Sequence, residues 1–211
     1  MVSKLGGKMN ILVVAAHADD EVLGTGATLV KHQMHGDTIH LLYMTDTITS
    51  RGEYTKDLKK ARDKVARYLG ASCTVAVFPD QKLDIVPQLS LNKVIESEIE
   101  KVHPDLIYTH TDADANIDHV AVFKSVRASA MGIPIRMFEI MNPRWPPRRF
   151  NPTHYEDVKE YMRDKLRLLS FYRSELRPYP HPRSIGGIMV LARYRGLERM
   201  MKYAEAFEEV K

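Results

Sequence analysis

The apolar run Ile11-Leu12-Val13-Val14-Ala15-Ala16 stops abruptly at His17, and Asp19, Asp20 and Glu21 follow at once. A run that is apolar at every position fits a strand buried on both faces, and such strands belong to parallel sheets covered by helices. In open α/β sheets the carboxyl ends of the strands are where ligands bind. An imidazole and carboxylates placed there lose hydration on folding, and a bound metal ion would offset that loss. A second cluster, Asn116-Ile117-Asp118-His119, lies about a hundred residues further on and can supply a missing ligand. The pattern points to a metal-dependent hydrolase.

The rest of the chain reads as alternating strands and helices. Residues 10–16, 38–44, 73–78, 105–110 and 135–140 read as strands. A helix opening at Gly24-Thr25-Gly26 runs to about His35 and stops at Gly36, and another runs from about Glu53 to Leu69 before Gly70. Residues 89–102 carry the stripe Leu89, Leu91, Val94, Ile95, Ile99 of an amphipathic helix. A further helix starts near Ile117 or Asp118. The Pro-rich stretch 142–147 is a loop, and 154–172 and 185–209 read as mainly helical. The alternation predicts an α/β protein, a mostly parallel sheet with helices on both faces. With no Gly/Ser-rich linker and 211 residues, one domain spanning 1–211 is the expectation.

Composition removes some function classes. The net charge of +4 is modest for this length, and the arginines at 144, 148, 149, 193, 195 and 199 read as solvated surface, so no nucleic-acid partner is expected. No apolar stretch reaches the length of a membrane span. The first eight residues are too short and polar for a secretory signal, so a cytoplasmic location is expected. The single cysteine, Cys73, excludes an intrachain disulfide and a Cys-rich zinc site; it is expected to be a small buried side chain.

A catalytic zinc takes three ligands from His, Asp or Glu and keeps a position for water. It lowers the pKa of that water, and a nearby carboxylate takes the proton. In a turn after a strand, His17 and Asp20 are natural ligands, Asp19 can face the water, and His119 can complete the set. The plainer alternative is that these are helix-capping acids and a satisfied histidine. Gly24-Thr25-Gly26 is not a dinucleotide fingerprint, since the third glycine is missing and carboxylates at that turn would repel a pyrophosphate.

His17-Ala18-Asp19-Asp20-Glu21, followed by Gly24 and Gly26, resembles the signature of the PIG-L/LmbE-like N-acetylglucosaminyl deacetylases. Phe78-Pro79-Asp80-Gln81 and His110 with Asp114, Asn116, Asp118 and His119 resemble the family's middle blocks. His181-Pro182-Arg183-Ser184 and Tyr203-Ala204-Glu205-Ala206-Phe207 look like its C-terminal blocks, so the similarity spans roughly residues 10 to 209. The resemblance implies a Rossmann-like fold, one zinc ion per chain held by His17, Asp20 and His119, and Asp19 as general base. It also implies hydrolysis of an acetamide on an amino-sugar substrate, and a homo-oligomer, a trimer or hexamer.

Two positions depart from the family pattern. Ala18 replaces a usual proline. Asn116 stands where many members carry a histidine; it cannot protonate an amine, but its amide can donate to an oxyanion. The acid then comes from Asp19 or from His181, the latter in its own site or in that of a neighbouring subunit. Arg51 and Arg183 are candidates for holding substrate. Glu21 and Asp118 are candidates for supporting the ligands, with a helix N-cap as the alternative for Asp118. Asp80 and Asp114 are expected to anchor loops. Trp145 could stack on a sugar face or pin its loop to the core, and the remaining histidines are read as surface or packing residues.

Two other classes compete. A receiver-like signalling domain needs an Asp ending the third strand and a Lys ending the fifth; Asp80 is offset by Pro79, and no Lys follows residues 138–140. A catalytically silent sugar-binding protein on the same fold is the other alternative, motivated by Asn116.

Overall fold

A computed structural model describes residues 7–46 and 56–210. The apolar run forms β1 (Asn10–Ala15), and the chain continues through α1 (Asp20–His35), β2 (Thr38–Thr45), α2 (Lys56–Leu69) and β3 (Ser72–Phe78). Then come α3 (Gln88–Val102), β4 (Leu106–His110), α4 (Ile117–Ser129) and β5 (Ile135–Phe138). The last third holds β6 (His154–Asp157), α5 (Met162–Phe171), α6 (Ile185–Leu197) and β7 (Ala204–Val210).

The strands form one seven-stranded sheet in the order β3-β2-β1-β4-β5-β7-β6. β1 to β5 pair in parallel, and β7 joins β5 and β6 antiparallel. This is the expected α/β, Rossmann-like architecture. Alternation along β1 builds both cores. Ile11, Val13 and Ala15 face a cluster with Leu29 of α1, Val65 of α2 and Leu168 of α5. Leu12, Val14 and Ala16 face Leu91 and Ile95 of α3 and Val122 and Val126 of α4. The direction of progression through the sheet reverses between β1 and β4. A crevice forms outside the strand ends at such a switch point.

Several expectations need correction, among them Arg195, which is buried and not solvated surface, and Leu89, which is exposed and not part of a buried stripe. Residues 154–157 and 204–210 are strands, not helix. The Ala- and Glu-rich sequence of β7 favours a helix in isolation, but pairing on both sides overrides that preference. α1 begins at Asp20, and Gly24-Thr25-Gly26 lies at a kink inside it, where Thr25 leaves helical geometry (φ −139°, ψ 15°). Cys73 is exposed, because β3 is an edge strand. Residues 53–55, the expected start of α2, lie outside the described residues. Among the described residues no helix is long and apolar enough to cross a membrane.

Candidate active site

The turn from β1 into α1 holds the first cluster. Asp19 sits at φ 122°, an unusual conformation for a residue with a side chain. It makes no side-chain cap bond to α1, so the capping explanation does not describe it. Its N–H donates to Glu21 Oε2 (3.1 Å), and the Tyr172 hydroxyl donates to Glu21 Oε1 (2.8 Å). Glu21 thus reaches back to hold the strained turn, and burial pushes its carboxyl up to about 7.

Asp20 is fully buried. Its Oδ2 accepts the His17 N–H (2.8 Å) and lies 3.1 Å from His17 Nδ1 and 3.3 Å from His119 Nε2. These three side chains offer ligand atoms within 4.8 Å of one another. Asp20 Oδ1 and His119 Nε2 are buried without a hydrogen-bond partner. Buried polar atoms are normally paired, so orphans that converge mark a place for something else.

The far side of each imidazole is held by a carboxylate. His119 Nδ1 lies 2.7 Å from Asp114 Oδ2, an acceptor for a proton on Nδ1, so that with a cation bound Nε2 would be the ligand atom beside Asp20. His17 Nε2 lies 3.0 Å from Asp118 Oδ2 and 3.0 Å from Asp80 Oδ1, so its Nδ1 can face the same point. Asp118 also accepts N–H groups from Gln81 (2.7 Å) and Leu83 (2.9 Å) and so ties the loop after β3 to the β1 turn. Asp114 Oδ1 accepts the Asn116 N–H (2.8 Å). The donor set fits a divalent cation: two imidazoles and one carboxylate, each imidazole backed by an acid.

The surrounding carboxylates draw positive charge to this point: as protons on the imidazoles or as a cation that displaces them. Burial pulls the His17 ring down, but its bonds to Asp118, Asp20 and Asp80 hold it well above the usual histidine range. Burial likewise opposes charge on His119, yet Asp20 and Asp114 raise it to about 9. Burial would raise Asp20, and the neighbouring histidines keep it well below the usual carboxylate range. Asp19 is pushed well up by burial and by the charge of Asp20, with Arg183 pulling the other way.

Other expected residues sit at varied distances from this centre. Arg183 Nη1 is 3.5 Å from Asp19 Oδ2. His181 Nδ1 accepts the Arg183 N–H (3.0 Å); among the described residues it has no hydrogen bond to His17, Asp19, Asp20 or His119. Asn116 is the N-cap of α4, its Oδ1 accepting the Asp118 N–H (2.9 Å), so the cap considered for Asp118 belongs to Asn116. Arg51 lies outside the described residues. Trp145 is 94% exposed and does not pin its loop to the core.

One site neighbour received no role from the sequence. His110 ends β4, accepts the Ala16 N–H at Nε2 (2.9 Å) and stacks on His119 with ring centroids 4.0 Å apart. Phe138 meets its edge at 4.8 Å, and Gly24 lies so close to Phe138 that a Cβ there would overlap the ring. The signal was available: a histidine ending a strand next to the switch point, just before the second cluster. Asp114, expected to anchor a loop, also holds His119.

Fold and site define an α/β protein with a two-histidine, one-carboxylate centre at the switch point of its sheet. The family model of the GlcNAc-PI de-N-acetylases (PIG-L) matches residues 12–130. The uncharacterized deacetylase YaiS of Escherichia coli (strain K12) is 30% identical over 182 residues, covering 82% of this chain and 96% of YaiS. The chain belongs to the PIG-L deacetylase family. Among solved structures, the conserved protein TT1542 from Thermus thermophilus shares the fold (TM-score 0.76, 23% identity, 94% of this chain and 93% of that one). The N,N'-diacetylchitobiose deacetylase from Pyrococcus horikoshii shares it too (TM-score 0.76, 19% identity, 95% and 83%).

Proposed function

We propose that this chain hydrolyses the acetamide of an N-acetylated amino sugar or glycoconjugate, releasing acetate and a free amine. The reading adds zinc as the cation, held by His17 Nδ1, the Asp20 carboxylate and His119 Nε2. The observation that carries it is the convergence of those three groups within 4.8 Å, with Asp20 Oδ1 and His119 Nε2 buried and unpartnered. When bound, the cation supplies a water acidified toward neutral pH and polarises the carbonyl.

Asp19 takes the proton of the attacking water. It is buried beside Asp20, on a turn held by Glu21, and its only described cation neighbour is Arg183 at 3.5 Å. A base that binds its proton firmly can return it to the leaving nitrogen as the C–N bond breaks. Asn116 spends its Oδ1 on the cap of α4, which leaves its amide N–H groups as the ones that can donate to the developing oxyanion. Asp118 and Asp114 orient the two imidazoles. Arg183 steadies Asp19 or a substrate oxygen.

The test is acetate release from a panel of N-acetylglucosamine derivatives, with and without a chelator. Activity lost on chelation and restored by zinc supports the reading, and activity indifferent to chelator contradicts it. His181→Ala tests the competing proton donor: unchanged turnover across pH removes His181 from the reaction.

A further inference from the structure

The candidate centre draws its ligands from two separate pieces of the fold. His17 and Asp20 sit where β1 turns into α1, and His119 sits in the first turn of α4. A binding constellation works only when its members are held to within about 0.5 Å. Between the two pieces stands His110, the last residue of β4, wholly buried. In the plane of its ring, Nε2 accepts the Ala16 N–H (2.9 Å). The last main-chain pair of β1 with β4 is Val14 with Thr109, so this bond carries the connection past the end of the ladder. The Ala16 carbonyl accepts the N–H and the hydroxyl of Thr45 on β2 (3.0 and 2.7 Å). Residue 16, which leads into His17, is thus held through both its N–H and its carbonyl. Across the face of its ring, His110 stacks on His119, with centroids 4.0 Å apart and planes 19° from parallel. Asp114 meets the edge of His119 at Nδ1 (2.7 Å). A face contact and an edge contact together leave that imidazole little room to turn.

Packing alone does not account for a histidine here. Because Nε2 accepts, the neutral ring carries its proton on Nδ1. Nδ1 is buried with no hydrogen-bond partner, which is unfavourable. A phenyl ring would fill the same space without that cost. What histidine adds is an acceptor lying in the plane of a flat aromatic ring. One side chain can then bond the β1 turn along its edge and support a residue of α4 with its face. The place of His110 is itself set by Phe138 of β5, whose ring meets it at 4.8 Å and 63°.

We propose that His110 is a positioning residue of the centre: through Ala16 and His119 it sets the separation of the β1 turn from α4, and so the affinity and geometry with which the cation is held. The proposal rests on the zinc reading above and adds what keeps its ligands in place. His110 acts through its two neighbours and not as a ligand, since its Nε2 is committed to the Ala16 N–H.

Nitrogen NMR of the native protein reads the tautomer of His110 directly and needs no variant. The ring should be neutral with its proton on Nδ1, both before and after zinc is added. A proton or a metal on Nε2 in either state removes the bond to Ala16 and overturns the proposal. Zinc titrations, and the visible spectrum of the protein loaded with cobalt(II), then compare the native chain with His110→Phe and His110→Asn. Phenylalanine keeps the stack and loses the acceptor; asparagine keeps an acceptor and loses the stack. Each variant should bind zinc about 10–100-fold more weakly than the native chain, the range for groups that orient metal ligands, and should shift the cobalt bands. A residue that only fills space would lower the urea midpoint and leave the cobalt bands where they were. His110→Phe with native zinc affinity and an unaltered cobalt spectrum therefore overturns the proposal and leaves the zinc reading standing. A native chain that takes up neither zinc nor cobalt contradicts the zinc reading, and this proposal falls with it.

Discussion

Two of the buried charge clusters among the described residues are built in opposite ways. At the kink in α1, Lys165 and Glu205 are 2.6 Å apart and both almost wholly buried. Glu205 accepts the N–H groups of Ala27 (3.1 Å) and Thr28 (2.7 Å), and Lys165 donates to the Leu23 carbonyl (2.8 Å). In a regular helix the Ala27 N–H would bond that same Leu23 carbonyl. The ion pair has taken the place of the missing helix bond, and both ions find protein partners. At the switch point, by contrast, Asp20 and His119 keep buried atoms with no partner. The first cluster is complete without a ligand. The second has capacity left that a cation could fill. Burial of charge by itself therefore does not mark a functional site; ligand-type atoms that converge with bonding capacity to spare are the stronger sign.

The largest test of that contrast is Asp20→Ala or His119→Ala. Each should abolish zinc binding and acetate release while the cooperative unfolding transition persists. Lys165→Met probes the closed cluster. It should cost about 3–5 kcal/mol in urea unfolding, because Glu205 is left as a buried unpaired charge. Acetate release per folded molecule should hold. If Lys165→Met instead removed activity from a protein of normal stability, the division between the two clusters would fail.

Smaller effects sharpen the contrast. Asp114→Asn keeps the shape but weakens the acceptor behind His119, and should reduce zinc affinity about 10–100-fold. A titration of the metal-free protein measures it, and an unchanged affinity would mean that Asp114 anchors its loop only. Glu156 is a half-buried version of the closed kind. Burial would raise its carboxyl, but hydrogen bonds from His154 and Lys31 and the Lys31 charge hold it at about 2, below an ordinary value of 4.5. A depressed carboxylate stabilises the fold above its unfolded pKa and loses that contribution as pH falls through its folded one. Glu156→Gln should thus cost about 1–2 kcal/mol at pH 7, a difference that shrinks between pH 4.5 and pH 2. Urea unfolding over that range checks it, and a gap independent of pH would show that charge is not what Glu156 contributes.

Much of this was legible in the residues. The run 11–16 announced a central strand because both its faces are buried, and the polar residues after it fell at the strand's carboxyl end as the architecture requires. The second cluster was visible as ordered acids and a histidine after β4. The strand β7 was not legible. Its glutamates look like helix surface, yet Glu205 is drawn inward by the kink in α1 and Glu208 by Arg148, Thr111 and the Asn151 N–H. Those partners lie tens of residues away or more, and no local pattern encodes them. The kink itself was hidden for the same reason, since Gly24 answers to Phe138 of β5 and not to its neighbours in the helix. The part played by His110 is not legible from its motif, because its stacking on His119 depends on how β4 and α4 meet.

In the proposed mechanism His17, Asp20 and His119 share one divalent cation. The direct measurement is the metal content of the purified protein after dialysis, compared with that of His119→Ala folded to the same degree by circular dichroism. A shared site predicts close to one zinc per chain in the first and essentially none in the second. Equal metal in both, or none in a protein that still releases acetate, would contradict it.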